Sequence, residues 1–435
     1  MAITTLSLIF SFATWFVISA VVVRLPNVGF KFDTMQLFWL AAMPGLAGGT
    51  LRLIHSFLIP IFGTRTVITV ATWLKIIPMV WLGFAVLNPA TPFWQFLVIA
   101  LLCGMGGGDF SSYMPSTSLF FPKRLQGLAM GIQAGVGNFG VSLTQFVTPW
   151  IVGFFIAGVF GASQVFKKGD IVKDVWLQNA AFWYVLPLLV LGILCFILLR
   201  SVPVRASFRE QLDIIPDKHT WFCTITYVMT FGSFSGFAAA FPLMIKIIYG
   251  QFPGAPDPLR YAFIGPLVGS VTRVVMGAPS DRWGGSIFTQ LSGIGLITGC
   301  LVLIFGGLLT PTSVEMFPYF LWTMLFIFLM AGIGNAATFR QYPIVFAFSP
   351  RKGAQLLGWT GAWAAYGPFV FSSLIGCSIS STGSATAFFV GAAVFYFIGS
   401  VVNWWYYTRP GAERGDWGTK WGTWWDTAKH TWPVK

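Results

Sequence analysis

Arg52 and Arg273 each lie deep in a long apolar stretch and share a local pattern, Gly48-x3-Arg52-x10-Gly63 and Gly269-x3-Arg273-x10-Gly284. Pro44 precedes the first arginine by eight residues and Pro266 the second by seven, and the arginines are 221 residues apart, close to half of the 435-residue chain. A guanidinium at the centre of a bilayer costs about 2.5–3.5 kcal/mol on insertion scales, so such a residue faces a partner or a water-filled cavity. Of the 13 acidic residues only Asp109 falls well inside an apolar stretch. One carboxylate cannot neutralise Arg52, Arg273 and Arg340 together. Two guanidinium groups about 8 Å apart repel by roughly 2 kcal/mol at an effective dielectric near 20, so a closed, dehydrated cavity holding both calls for an anion between them. The expected chemistry is anion binding, and the planar fork of arginine suits a flat acceptor with two coplanar oxygens, where lysine offers a point charge.

The elements that must hold these arginines are membrane helices. The chain is 56% hydrophobic and only 9% charged, with 45 Phe and 20 Trp, and its mean hydropathy is +0.76. Soluble domains carry about 25% charged residues, so a soluble enzyme and a disordered chain are both excluded. Stretches long enough to cross about 30 Å of hydrocarbon occur twelve times, near residues 4–23, 36–60, 67–88, 93–118, 126–160, 177–200, 219–249, 260–281, 284–309, 316–349, 353–378 and 383–408. They must be helical, because lipid cannot satisfy free backbone groups. The expected fold is an all-α membrane protein of two six-helix lobes, residues 1–200 and 219–408, joined by a linker at 201–218 and followed by a Trp-rich tail at 409–435. Stretch 1 lacks the basic start and cleavage site of a signal peptide and reads as a retained span. Lys and Arg number 15 in the even loops and tail against 7 in the odd loops, with Arg52, Lys75, Arg273 and Arg340 inside spans. The positive-inside bias then puts both termini in the cytoplasm. The net charge of +13 is topology signal facing an anionic leaflet, not a nucleic-acid footprint. The five cysteines form no CxxC pair and read as small buried apolar residues. His55, His219 and His430 lack metal-ligand spacing, and no phosphate-binding glycine loop points to a nucleotide-driven pump or a cofactor.

Two further stretches are glycine-rich: Gly131-x3-Gly135-x-Gly137-Asn138-x-Gly140, and Gly358-x2-Gly361-x5-Gly367. Small residues three or four apart allow close helix approach, and the amide of Asn138 can donate to an anion. With AMPGLAGGTLRLIHSFLIPIFG in span 2, GMGGGDFSSYMPSTSLFFPK in span 4, GIQAGVGNFGVSLTQ in span 5, TFGSFSGFAAAFPL in span 7 and GPLVGSVTRVVMGAPSDRWGG in span 8, the whole chain resembles the nitrate/nitrite porters of the major facilitator superfamily. The resemblance implies transport of nitrate and nitrite across a bacterial inner membrane; a monomer is expected, although the sequence leaves the oligomeric state open. It implies Arg52 and Arg273 as charge clamps, Asn138 and Tyr227 as hydrogen-bond donors, and Phe12, Phe110, Phe231 and Phe339 as aromatic walls. A slot of stacked rings admits a flat anion and excludes tetrahedral sulfate and phosphate.

Four features depart from that pattern. Asp109 stands where an amide is expected, His55 where a tyrosine is, and Arg340 where a glutamine is; the second glycine signature is degraded by Ala364 and Pro368. Asp109 and Arg340 could compensate each other as a buried pair, or Asp109, with His55, could be a protonatable coupling site. Lys75 has no assignable acid. The tail residues Trp417, Trp421, Trp424 and Trp425 fall on one helical face suited to the headgroup region. Nitrate/nitrite exchange is the leading expectation. Proton-coupled nitrate symport through Asp109, transport of another small anion, and a transport-dead anion sensor stay open. A membrane-embedded enzyme is disfavoured, since no nucleophile and base recur in the spans.

Overall fold

The computed structural model describes residues 1–120, 123–154, 161–169, 171–201 and 213–416. The helices are α1 (Ala2–Val21), α2 (Thr34–Ile59), α3 (Ile61–Ala85), α4 (Phe93–Met114), α5 (Lys123–Gly137 continuing as Phe139–Ile151), α6 (Asn179–Leu198) and α7 (Lys218–Tyr249). They continue with α8 (Pro258–Val275 then Gly277–Trp283, bent by 44°), α9 (Gly285–Phe305), α10 (Val314–Val345), α11 (Arg351–Thr382) and α12 (Thr386–Thr408). Among the described residues ten helices are long and apolar enough to cross a membrane, or eleven with the bent α8; α5 occupies the remaining expected stretch. Each begins and ends within a few residues of the stretch expected from hydropathy, except that α3 already starts at Ile61, ahead of the expected residue 67, and α5 stops at Ile151. An antiparallel hairpin, β1 (Gln164–Lys168) and β2 (Ile171–Val175), follows it and was not anticipated.

The sequence echo has a backbone cause. Gly63 and Gly284, the last glycines of the two patterns, both have positive φ, 75° and 97°, a region that L side chains avoid and glycine enters freely. Gly63 kinks the chain within the first turn of α3, just after the arginine-bearing α2, and Gly284 makes the turn from the arginine-bearing α8 into α9. The same turn chemistry therefore recurs in both halves of the chain.

Glycines set the helix spacing at other points. A Cβ on Gly140 would lie 2.0 Å from the Ile9 carbonyl oxygen and one on Gly137 2.6 Å from Leu8, so α5 rides directly on α1. Gly367 presses on α7, where an added Cβ would come within 2.2 Å of the Gly232 carbonyl oxygen; close approach of α11 survives the degraded signature. Gly131 and Gly358 make no close contact, contrary to the small-residue packing expected of them. Gly140→Ala is expected to destabilise the protein by at least about 1–3 kcal/mol, the usual cost of forcing atoms into a packed interior, read as a lowered unfolding midpoint of purified protein. An unchanged midpoint would mean that α1 and α5 are free to separate.

On the face carrying the odd-numbered loops the two halves of the chain are tied together. Arg24 pairs with Asp257 at 2.7 Å and its guanidinium lies 5.3 Å over the Phe166 ring of β1. Lys246 donates to the Val23 carbonyl and, at 2.9 Å, to Asn27 Oδ1. Lys168 at the end of β1 donates to the Ala255 carbonyl at 3.0 Å. The hairpin thus straps the loop after α1 to the loop after α7.

On the opposite face the start of the tail folds back. Glu413 takes Lys218 and His219, at 2.8 and 3.0 Å, and Arg414 takes Asp217 at 2.8 Å. Asp416 is fully buried, and its Oδ2 accepts from the backbone N–H groups of Gly285 and Ser286, capping α9. Burial pushes the Asp416 carboxyl above the usual range, against the opposing pull of Arg340 and the two N–H groups. Trp417, Trp421, Trp424 and Trp425 and the centre of the expected linker lie outside the described residues. Four cysteines are buried as expected, but Cys377 is exposed.

Candidate functional site

Arg52 projects from α2 into full burial. Its Nε donates to the Gly107 carbonyl of α4 at 2.8 Å and its Nη1 to the Gly361 carbonyl of α11 at 2.7 Å, so one side chain links the two halves of the chain. Its Nη2 is buried without a hydrogen-bond partner. The guanidinium carbon lies 4.5 Å from the Phe110 ring centroid, 5.3 Å from Trp15 and 5.3 Å from Phe231. Arg273 projects from α8 and is 5% exposed. Its Nη2 donates to the Tyr227 hydroxyl at 3.4 Å, its Nη1 has no partner, and its guanidinium carbon lies 4.5 Å from Phe339 and 5.6 Å from Phe231.

The Phe231 ring is therefore shared by both guanidinium groups, and their separation cannot exceed the sum of the two distances to it. Among the described residues neither arginine makes an ion pair. Helix α7 presents Phe231 from a π-helical turn, Val228–Gly232, a local widening frequent at functional sites. Tyr227 stacks on Phe231, centroids 5.5 Å apart and planes within 11°, and lies 5.6 Å from Phe339.

The expected site residues converge unevenly. Phe110, Phe231 and Phe339 stack on guanidinium groups, whereas Phe12 packs behind Phe110 at 5.8 Å and beside Trp15 at 5.5 Å. Asn138 sits at the joint between the two segments of α5, fully buried, with both side-chain polar atoms unpartnered. Gly135, one turn earlier, faces Val274 beside Arg273. Trp15 was missed. Its signal was the GMGGG run of span 4: a Cβ on Gly107 would lie 2.4 Å from the indole, so only glycine lets Trp15 and Arg52 reach α4 there.

The charge assignments at the departures need correction. Asp109 does not pair with Arg340. Its Oδ2 accepts from Lys75 Nζ and, at 2.8 Å, from Ser11 Oγ, and Lys75 also donates to Ser11 at 2.9 Å. Both members of this pair are buried, 1% and 0% exposed. A buried ammonium requires a carboxylate, and Lys75, which had no assignable acid, is where Asp109 finds its counter-charge. Arg340 lies instead at the end of α10 away from the hairpin face, bonded to Asp281 at 3.0 Å and near Asp416 at 3.8 Å. It ties the end of α10 to the α8–α9 turn. His55 Nδ1 is bonded to Ser112 Oγ at 2.8 Å.

A polytopic helical bundle whose halves each bring one arginine, without an ion pair among the described residues, to a shared cluster of aromatic rings is the architecture of a membrane carrier. The family model of the Major Facilitator Superfamily matches residues 3–347. The chain is 57% identical over 415 residues to the "Probable nitrate/nitrite antiporter NarK2" of Thermus thermophilus, covering 95% of this chain and 93% of that protein. It is 37% identical over 428 residues to the "Nitrate/nitrite transporter NarU" of Escherichia coli, covering 92% and 90%. A solved D-xylose-proton symporter superposes with a TM-score of 0.69 at 15% identity over 93% of this chain and 96% of that one, a likeness of fold. The chain belongs to the nitrate/nitrite porter family of the Major Facilitator Superfamily. That superfamily consists of multi-pass membrane transporters rather than enzymes.

Proposed function

We propose that this chain carries nitrate and nitrite across a bacterial inner membrane in exchange for one another, with both termini in the cytoplasm and the hairpin strap on the outer face. Residues 1–200 and 219–408 act as the two rocking lobes. The observation that carries the reading is the Phe231 ring approached by both guanidinium groups, each keeping a buried N–H donor unused among the described residues, Nη2 of Arg52 and Nη1 of Arg273. A flat anion matches such forks and rings in shape and charge. One polypeptide supplies both arginines, so a monomer contains a whole site.

Exchange follows from the charges. Without an anion the two cations resist the approach that closes the pocket, by roughly 2 kcal/mol at about 8 Å and an effective dielectric near 20. With an anion bound the repulsion becomes attraction, and the loaded carrier reorients faster than the empty one. The pairing of Asp109 with Lys75 and Ser11 supports this reading over proton symport, because the carboxylate already has a fixed counter-charge.

Proteoliposomes test the proposal. Labelled nitrate is expected to enter vesicles loaded with nitrite about tenfold or more faster than vesicles loaded with sulfate, with little response to an imposed proton gradient; the factor follows from a repulsion of this size at 1.4 kcal/mol per tenfold. Equal uptake under both loadings would contradict exchange.

A further inference from the structure

Helix α10 carries a side chain that neither the aromatic walls nor the arginine clamps account for. Asn335 is fully buried, and both its Nδ2 and its Oδ1 lack a hydrogen-bond partner among the described residues. A buried amide without partners is costly, and such groups in native proteins call for an explanation. Its place in the bundle is fixed by its neighbours on the same helical face. Seven residues earlier Phe328 packs on Phe234 and Phe241 of α7. Four residues later Phe339 stacks on Arg273 and against Tyr227. Seven residues later the Tyr342 hydroxyl meets Thr226 and the Cys223 carbonyl. This face of α10 runs along α7, and Asn335 falls at the level between Phe234 and Tyr227. Phe231, the ring shared by the two arginines, is at that level.

We infer that Asn335 is a further anion-binding residue, its Nδ2 donating to an oxygen of the bound nitrate. The inference rests on the nitrate reading proposed above. It makes the pocket balanced: each half of the chain then offers one guanidinium, Arg52 or Arg273, and one orphaned buried amide, Asn138 or Asn335. An amide suits this place, since it offers two donors without adding a third positive charge beside two guanidinium groups that already repel each other.

Calorimetric titration of sodium nitrate into purified wild type, Asn335→Ala and Asn335→Ser, with the unfolding midpoint of each recorded without nitrate, tests the inference. A hydrogen bond to a charged group contributes about 1.5–3 kcal/mol, so Asn335→Ala is expected to weaken nitrate binding at least about tenfold while its anion-free midpoint stays near that of wild type. Wild-type affinity in a folded Asn335→Ala would overturn the inference and leave the nitrate reading intact. Absence of nitrate binding by wild type would overturn the nitrate reading itself. Should the alanine variant fail to fold, Asn335→Ser decides on the same affinity scale, because a purely structural residue would lower the midpoint and leave the affinity of the folded protein unchanged.

Discussion

Arg273→Lys is expected to lower nitrate flux by about two orders of magnitude although the positive charge is kept. Lysine reaches the pocket as a point charge with no planar fork. The variant loses the second donor to the anion, about 1.5–3 kcal/mol for a hydrogen bond to a charged group. It also loses the stacking of a flat guanidinium on Phe339 and Phe231, at 4.5 and 5.6 Å, where a cation–π contact is worth about 0.5–2 kcal/mol. At 1.4 kcal/mol per factor of ten these terms give a loss near a hundredfold. Arg52→Lys adds a further defect, because the bonds from Nε to Gly107 and from Nη1 to Gly361 hold α2, α4 and α11 together. Flux of labelled nitrate into nitrite-loaded proteoliposomes measures both variants. Near-normal flux in Arg273→Lys would mean that charge alone suffices and that the fork has no part in recognition.

The second large effect concerns stability. Asp109→Ala leaves the Lys75 ammonium buried with Ser11 Oγ as its remaining partner, and removing one member of a buried pair costs about 3–5 kcal/mol. Lys75→Met combined with Asp109→Leu is expected to restore most of that loss, since replacing both charges by apolar groups of similar volume is often neutral. Thermal unfolding of the purified single and double variants reads the difference. The same double variant separates two roles for Asp109: nitrate/nitrite exchange persisting in it fits a structural pair, whereas lost transport in a folded double variant would assign the pair to coupling.

Much of this architecture is legible in the sequence because lipid is a demanding solvent. Hydropathy alone locates the helices, and the spacing from Arg52 to Gly63 and from Arg273 to Gly284 marks both the arginine cluster and the positive-φ breaks that follow α2 and α8. The misreadings come from information that a linear pattern does not hold. Lys75 and Asp109 are 34 residues apart on different helices, so their pairing is a property of packing. Arg340 reads as intramembrane because α10 is apolar throughout, yet this 32-residue helix is longer than a membrane needs, and its end emerges where Asp281 and Asp416 wait. Strands β1 and β2 are five residues each, too short to stand out beside twelve apolar runs. Asp416 lies in a segment that reads as tail, and only the fold brings it to the N-terminus of α9. Asn335 carried a faint signal, one of two amides, with Gln341, in an apolar helix.

The claim on which the rest depends is that one anion is held jointly by Arg52 and Arg273. Calorimetric titration of nitrate into wild type, Arg52→Ala, Arg273→Ala and the double variant tests it most directly. The account predicts one nitrate per chain in wild type, no saturable binding in either single variant, and nothing further lost in the double. Saturable binding near wild-type affinity in either single variant would contradict it, because the anion would then need only one of the two guanidinium groups.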